Sequence, residues 1–198
     1  MRLSPEVFRQ KLLYAHTFLA DVSLHDVWAI HLKGGGPGRT LHRLQPLLQF
    51  QNIERVHPIV RGLFAVRFAL GKLFRWDNDT SDVAPASASY LHRLPAADHA
   101  RSLTKPGTVN GGFRVIYEFE NEAMSEIING TVHAFSLLTM ESTNDGYQIC
   151  WAIYVKNVNW LTPFYMALID PFRRILVYPV LIRQMERAWA ERLRGDEA

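Results

Sequence analysis

The 198-residue chain is 48% apolar and 12% aromatic, enough to bury a sizeable core and too apolar for a disordered segment. Its formal charge of +3 comes mostly from arginine, but no run of five or six basic residues marks a nucleic-acid surface. The longest fully apolar run, Ile175–Ile182, is far short of the ~20 residues that span a bilayer.

The single cysteine, Cys150, allows no internal disulfide framework, and its neighbours Ile149 and Trp151 suggest a buried thiol in a reducing compartment. The opening MRLSPEVFRQKLLYAH sets charges and a proline where a signal peptide needs an apolar core. We read one cytoplasmic domain over residues 1–198, with no implied cofactor and no nucleic-acid partner.

In chain order, residues 4–13 predict a short helix: Ser4 can cap, Pro5 takes the first helical position and Glu6 lies in the first turn. Residues 17–32 are strand-like, best over 25–32, where Val27, Ala29 and His31 alternate with Trp28, Ile30 and Leu32. Lys33-Gly-Gly-Gly-Pro-Gly-Arg-Thr40 ends that strand. It lacks the spacing and the lysine of a phosphate loop, so it reads as a flexible turn. Residues 41–50 and 57–74 predict helices, the second with Ile59, Leu63, Val66, Leu70 and Leu73 at helical spacing. Residues 77–112 form a polar connector that could act as a lid, with a short helix near 95–102.

From Phe113 the period becomes two. Phe113, Val115, Tyr117 and Phe119 alternate with Arg114, Ile116, Glu118 and Glu120, which places Glu118 and Glu120 on the solvent side. Extended segments follow at Met124–Ile128 and Thr131–Glu141, separated by a turn at Asn129-Gly130. Asp145-Gly146 is a hairpin signal leading into Tyr147–Val158. With Asp145 and Gly146 as the central turn residues, Met140 would face Trp151 and Leu138 would face Ile153. Both faces of the 131–141 strand are then apolar, and one of them calls for a cover such as a second chain.

The last long element runs from Trp160 to Leu193. Pro171 and Pro179 each remove an intrahelical hydrogen bond and should kink or split it. Leu168, Phe172, Ile175, Leu176 and Pro179 form one stripe, with Asp170, Arg173 and Arg174 opposite.

The order of strand, helices, antiparallel strands and closing helix resembles the helix-grip fold of the START-like (SRPBCC) superfamily. Four segments more closely resemble the family called domain of unknown function 2867: Leu24-His-Asp-Val-Trp-Ala-Ile, Val60-Arg-Gly-Leu-Phe-Ala-Val-Arg, Glu122-Ala-Met-Ser-Glu-Ile-Ile-Asn-Gly-Thr-Val-His-Ala-Phe and Tyr165-Met-Ala-Leu-Ile-Asp-Pro-Phe-Arg-Arg. The resemblance implies an α+β helix-grip fold, a curved antiparallel sheet around the long C-terminal helix with an apolar cavity between them. It supplies no chemistry for the narrower family.

The expected function is binding of a small hydrophobic or amphipathic molecule in that cavity by Tyr117, Phe119, Glu126, His133, Trp151, Phe172 and Arg173. Arg173 is the candidate for an anionic head group. His133 and Glu126 would be acid and base if the protein were a cyclase or dehydratase. A third reading is an interaction or homodimerisation module, suggested by the aromatic surplus. The eight histidines and one cysteine show no metal-ligand spacing.

Overall fold

The computed structural model describes residues 1–48, 88–110, 112–130 and 132–196. The helix expected over 57–74 and the first part of the 77–112 connector lie outside those residues.

The fold is α+β, with a six-stranded antiparallel sheet of order β1-β6-β5-β4-β3-β2 and a long C-terminal helix. Its strands are β1 (Ser23–Lys33), β2 (Val109–Asn110), β3 (Phe113–Glu118), β4 (Glu122–Ile128), β5 (His133–Thr143) and β6 (Gly146–Lys156). Helices α1 (Pro5–Arg9) and α2 (Tyr14–Phe18) precede β1, so the strand-like reading of residues 17 and 18 gives way to a helical turn. Ser4 caps α1 by accepting the Glu6 amide, as the sequence predicts. Next come α3 (Leu41–Leu48), a 3-10 turn (Tyr90–Arg93) and α4 (Ala96–Arg101). The last element is α5 (Leu161–Phe172), a π-helical turn (Arg173–Val177) and α6 (Tyr178–Asp196).

Both faces of the sheet are covered. On one, Ile30, Leu138, Ile149, Trp151 and Ile153 pack against Tyr178, Leu181, Ile182, Met185 and Trp189 of α6. Burial of each such side chain contributes about 1.5–3 kcal/mol, so this layer anchors the C-terminal helix. On the other face, Val27, Tyr117, Met124, Phe135 and Ala152 meet Phe8 and Phe18 from the N-terminal helices and Tyr90 from the 3-10 turn. The second apolar face of β5 is thus covered by this chain's own N-terminal helices, where the sequence suggested another chain. The outer edge of β1 is closed too: Leu3 N–H donates to Val27 O at 2.9 Å and Ala29 N–H to Met1 O at 2.7 Å.

Two register details depart from the expected pattern. A bulge between Val115 and Tyr117 lets Tyr117 pair with Met124 and Glu118 with Ala123. Strict alternation breaks there, and Glu118 is buried, bonded to His42 and to the Thr104 hydroxyl, instead of facing solvent. In the β5–β6 hairpin Thr143 pairs with Gly146, so Asn144 and Asp145 occupy the turn; Met140 faces Ile149 and Leu138 faces Trp151. The register is two residues from the one expected, and an even slip leaves every side chain on its predicted face. Gly146 is required where it sits: a Cβ there would overlap the Leu32 carbonyl of β1.

Candidate functional site

The prolines at 171 and 179 divide the C-terminal helix as expected, and the segment between them holds a π-helical turn. A π turn widens the helix by one residue per turn and commonly marks a functional position. Here it brings Arg173 onto the sheet: its side chain is 18% exposed and bonds Asp170 at 3.0 Å and the Tyr178 hydroxyl. Arg173 also lies 3.7 Å from Asp26 on β1, whose carboxylate accepts a 3.3 Å bond from the Tyr178 hydroxyl. His25 Nε2–H donates to both oxygens of Asp170 at 2.8 Å, and Arg174 reaches the same carboxylate at 3.0 Å.

Six polar groups of β1 and the C-terminal helix thus form one knot on an otherwise apolar interface. Burial pushes the Asp26 carboxyl above its ordinary range, against the pull of Arg173 and His25, and the nearby Asp170 charge adds to the rise. Burial likewise pushes the Tyr178 hydroxyl well up, so it stays a neutral donor at physiological pH.

Among the described residues, three buried polar atoms around this knot have no hydrogen-bond partner: Asp26 Oδ2, Trp28 Nε1 and Arg174 Nε. Such groups are uncommon in a folded interior, and each costs roughly 1–3 kcal/mol while unsatisfied. Trp28 stands over Tyr178, ring centroids 4.9 Å apart, so the indole and the Asp26 carboxylate flank the same phenol. Ligand atoms of His25, Asp26 and Asp170 also lie within 4.8 Å of one another, a donor set that could hold a metal ion. However, Asp170 is already paired with both Arg173 and Arg174, whose excess positive charge would oppose a divalent cation.

A second network lies on the opposite face of the sheet. His133 Nε2–H donates to Glu126 at 2.9 Å, the Tyr90 amide donates at 3.1 Å, Ser89 donates through its hydroxyl, and Arg114 lies 3.5 Å away. Burial pushes the Glu126 carboxyl up, but the bonds from His133, Ser89 and the Tyr90 amide outweigh it and hold the carboxyl below its ordinary value. With both oxygens engaged by donors, this network pins the 3-10 turn to β4 and β5. Tyr90 and Arg93 of that turn are held in addition by Asp21, at 2.7 Å each.

A family model described as "Protein of unknown function (DUF2867)" matches residues 18–180. The chain belongs to this family. No curated protein and no solved structure matches it. Three of the DUF2867-like segments recognised in the sequence fall, Thr131 apart, within the described residues, and two of them build the knot: His25 and Asp26 come from the first, Asp170, Arg173 and Arg174 from the last. Glu126 and His133 come from the third.

The seven residues expected to line one cavity do not share a face. Tyr117, Glu126 and His133 lie under the N-terminal helices, with Phe119 at their margin. Trp151 lies under α6, Arg173 enters the knot, and Phe172 is exposed at 44%. The acid and base candidates do meet, but in the closed Glu126 network. His25, Asp26, Trp28, Asp170 and Tyr178 were not singled out from the sequence as site residues. The signal available was the pair of family-like phrases that contain His25-Asp26 and Asp170; their meeting is a contact over 145 residues of chain.

The C-terminal helix also reverses the expected orientation of its stripe. Leu168, Phe172 and Ile175, expected to pack on the sheet, are exposed at 53%, 44% and 71%, together with Trp160 at 74% and Phe164 at 68%. Asp170 and Arg173 of the opposite, polar side are the ones turned inward. Met166 and Thr162 fill the sheet side of α5, and the His25–Asp170 and Arg173–Asp26 pairs fix the rotation.

Proposed function

We propose that this protein is a non-catalytic carrier or sensor for a small hydrophobic or amphipathic molecule, held between β1 and the C-terminal helix. The reading rests on the three polar atoms at the knot that make no hydrogen bond among the described residues. One acceptor, Asp26 Oδ2, and two donors, Trp28 Nε1–H and Arg174 Nε–H, suit a ligand hydroxyl or carboxyl. Half-buried Trp28, Tyr165, Ile169 and Val177, packed against the core on this face of the sheet, offer apolar contact for its body. The strand order and the long closing helix are compatible with a helix-grip architecture, which supports the same placement.

Native mass spectrometry of the purified chain, before and after organic extraction, tests this. We expect a small bound mass or, failing that, saturable binding of added dodecanol or dodecanoic acid that Trp28→Phe and Asp26→Asn both weaken. Neither a co-purifying mass nor binding of either probe would overturn it.

A second reading is favoured by the outward face of α5: the chain is an interaction module that pairs with a second copy of itself. Trp160, Phe164, Leu168, Phe172 and Ile175 form an exposed strip free of charge. At about 150–250 Å² for a whole aromatic side chain, the strip offers on the order of 600 Å², approaching the ~800 Å² per partner of a standard interface. A two-fold contact through it opposes no like charges. Light scattering should show a dimer that Phe164→Glu dissociates; a monomer at millimolar concentration would refute this reading.

A further inference from the structure

The glycine-rich loop after β1 is a built element. Trp189 Nε1–H donates to Lys33 O at 2.8 Å, and the Tyr147 hydroxyl donates to Gly36 O at 2.6 Å while accepting the Arg39 amide at 3.1 Å. Gly34, Gly35, Gly36 and Gly38 all take positive φ. At Gly35 a Cβ would overlap the Trp189 ring, so the backbone reaches the indole only because no side chain intervenes. Arg39 is oriented by its Nε bond to Gly35 O at 2.7 Å and lies 5.3 Å from the centre of the Trp189 ring.

Beside this loop is a cleft of about 330 Å³ lined by Gly35, Gly38, Arg39, Arg43, Leu44 and Arg192. Three arginines border it, and none of its described lining residues is acidic. Arg43 lies in the first turn of α3, a turn with no acidic residue. The start of a helix carries a partial positive charge that favours anions and is unfavourable beside cations. Arg43 within α3 and Arg192 from α6 therefore add positive charge where the helix already presents it. A bound anion relieves that repulsion, and guanidinium groups match the oxygens of a phosphate in pairs.

We propose that the cleft between the glycine-rich loop, α3 and α6 binds a phosphate group carried by a small molecule or a lipid head group. The cleft opens at the Lys33 end of β1, whereas the knot is at the His25–Asp26 end. Those ends are roughly 25 Å apart along the strand at ~3.3 Å per residue, so this site is independent of the ligand proposed for the knot.

The test uses the full chain and the double variant Arg43→Gln/Arg192→Gln, whose replaced side chains are both exposed. Inorganic pyrophosphate is titrated by calorimetry, and phosphatidylcholine vesicles with and without phosphatidic acid are co-sedimented with the protein. Saturable one-to-one binding of pyrophosphate, weakened about tenfold or more in the double variant, assigns a soluble phosphate ligand. Retention only on phosphatidic-acid vesicles, lost in the same variant, assigns a head group. Both outcomes support the site. Absence of binding in both arms, or binding that the variant leaves unchanged, overturns it. An unaltered thermal melt of the variant shows that any lost binding is not lost folding.

Discussion

Replacing Glu126 with Gln tests how the second network holds the fold. The carboxylate is 1% exposed, and every neighbour bonded to it is a donor: the Ser89 hydroxyl, the Tyr90 amide, His133 and Arg114. A Gln side chain keeps one acceptor and must turn its own N–H groups toward one pair of those donors. Ser89 cannot turn to accept freely, because its oxygen already receives the Leu91 amide at 3.0 Å. Bonds to a charged partner contribute about 1.5–3 kcal/mol each, and breaking a buried pair costs about 3–5 kcal/mol, so we expect a loss of about 3 kcal/mol at neutral pH. For a chain of this size that is roughly 6–12 °C of melting temperature.

The pH dependence carries a sign. Because the Glu126 carboxyl is held below its ordinary value, its stabilisation is complete above that ordinary value and is lost as pH falls through the lower folded value. The gap between wild type and Glu126→Gln should therefore narrow as pH drops from about 7 to about 3.5. Thermal melts across that range, followed by circular dichroism, measure it. A drop of under about 2 °C, or a gap that does not change with pH, would refute the reasoning.

Asp26 predicts the opposite trend. Its raised carboxyl means that ionisation costs the folded state, so its contribution is intact below the ordinary value of 3.8 and is lost as pH rises through the folded value. Asp26→Asn should gain stability relative to wild type as pH rises toward neutral, measured by the same melts. Gly35→Ala should cost about 2–3 kcal/mol, because strain at positive φ is joined by overlap with Trp189. Gly36→Ala meets open space and should cost only about 1–2 kcal/mol, the difference being read in denaturant melts. Cys150 is 1% exposed and burial pushes its thiol up, so a thiol reagent should label it only as fast as the chain unfolds. Rapid labelling under native conditions would contradict that burial.

The period-two alternation of β5 and β6, the apolar content and the hairpin placed those strands, because side-chain alternation is a local property of extended chain. The two-residue error in hairpin register did no harm to the face assignments for the same reason. The prolines marked where the last helix changes character, because each removes a backbone donor whatever surrounds it.

Three features were beyond the reach of any local rule. The β3 bulge, which buries Glu118, depends on pairing with β4. The rotation of α5 depends on ion pairs to β1, and these outweighed the exposure of a stripe whose spacing looks like a core face. The partners of Asp26 and Asp170 lie far away in the chain. The sequence by itself determined the five longer strands, the segmentation of the closing helix and the α+β class, since these follow from periodicity and backbone chemistry; the two-residue β2, inside the segment read as a connector, was not among them. Only the tertiary structure decided which helix face meets the sheet, which polar groups are buried together and where the arginines converge. Those are set by contacts between residues whose separation along the chain leaves no trace in their spacing.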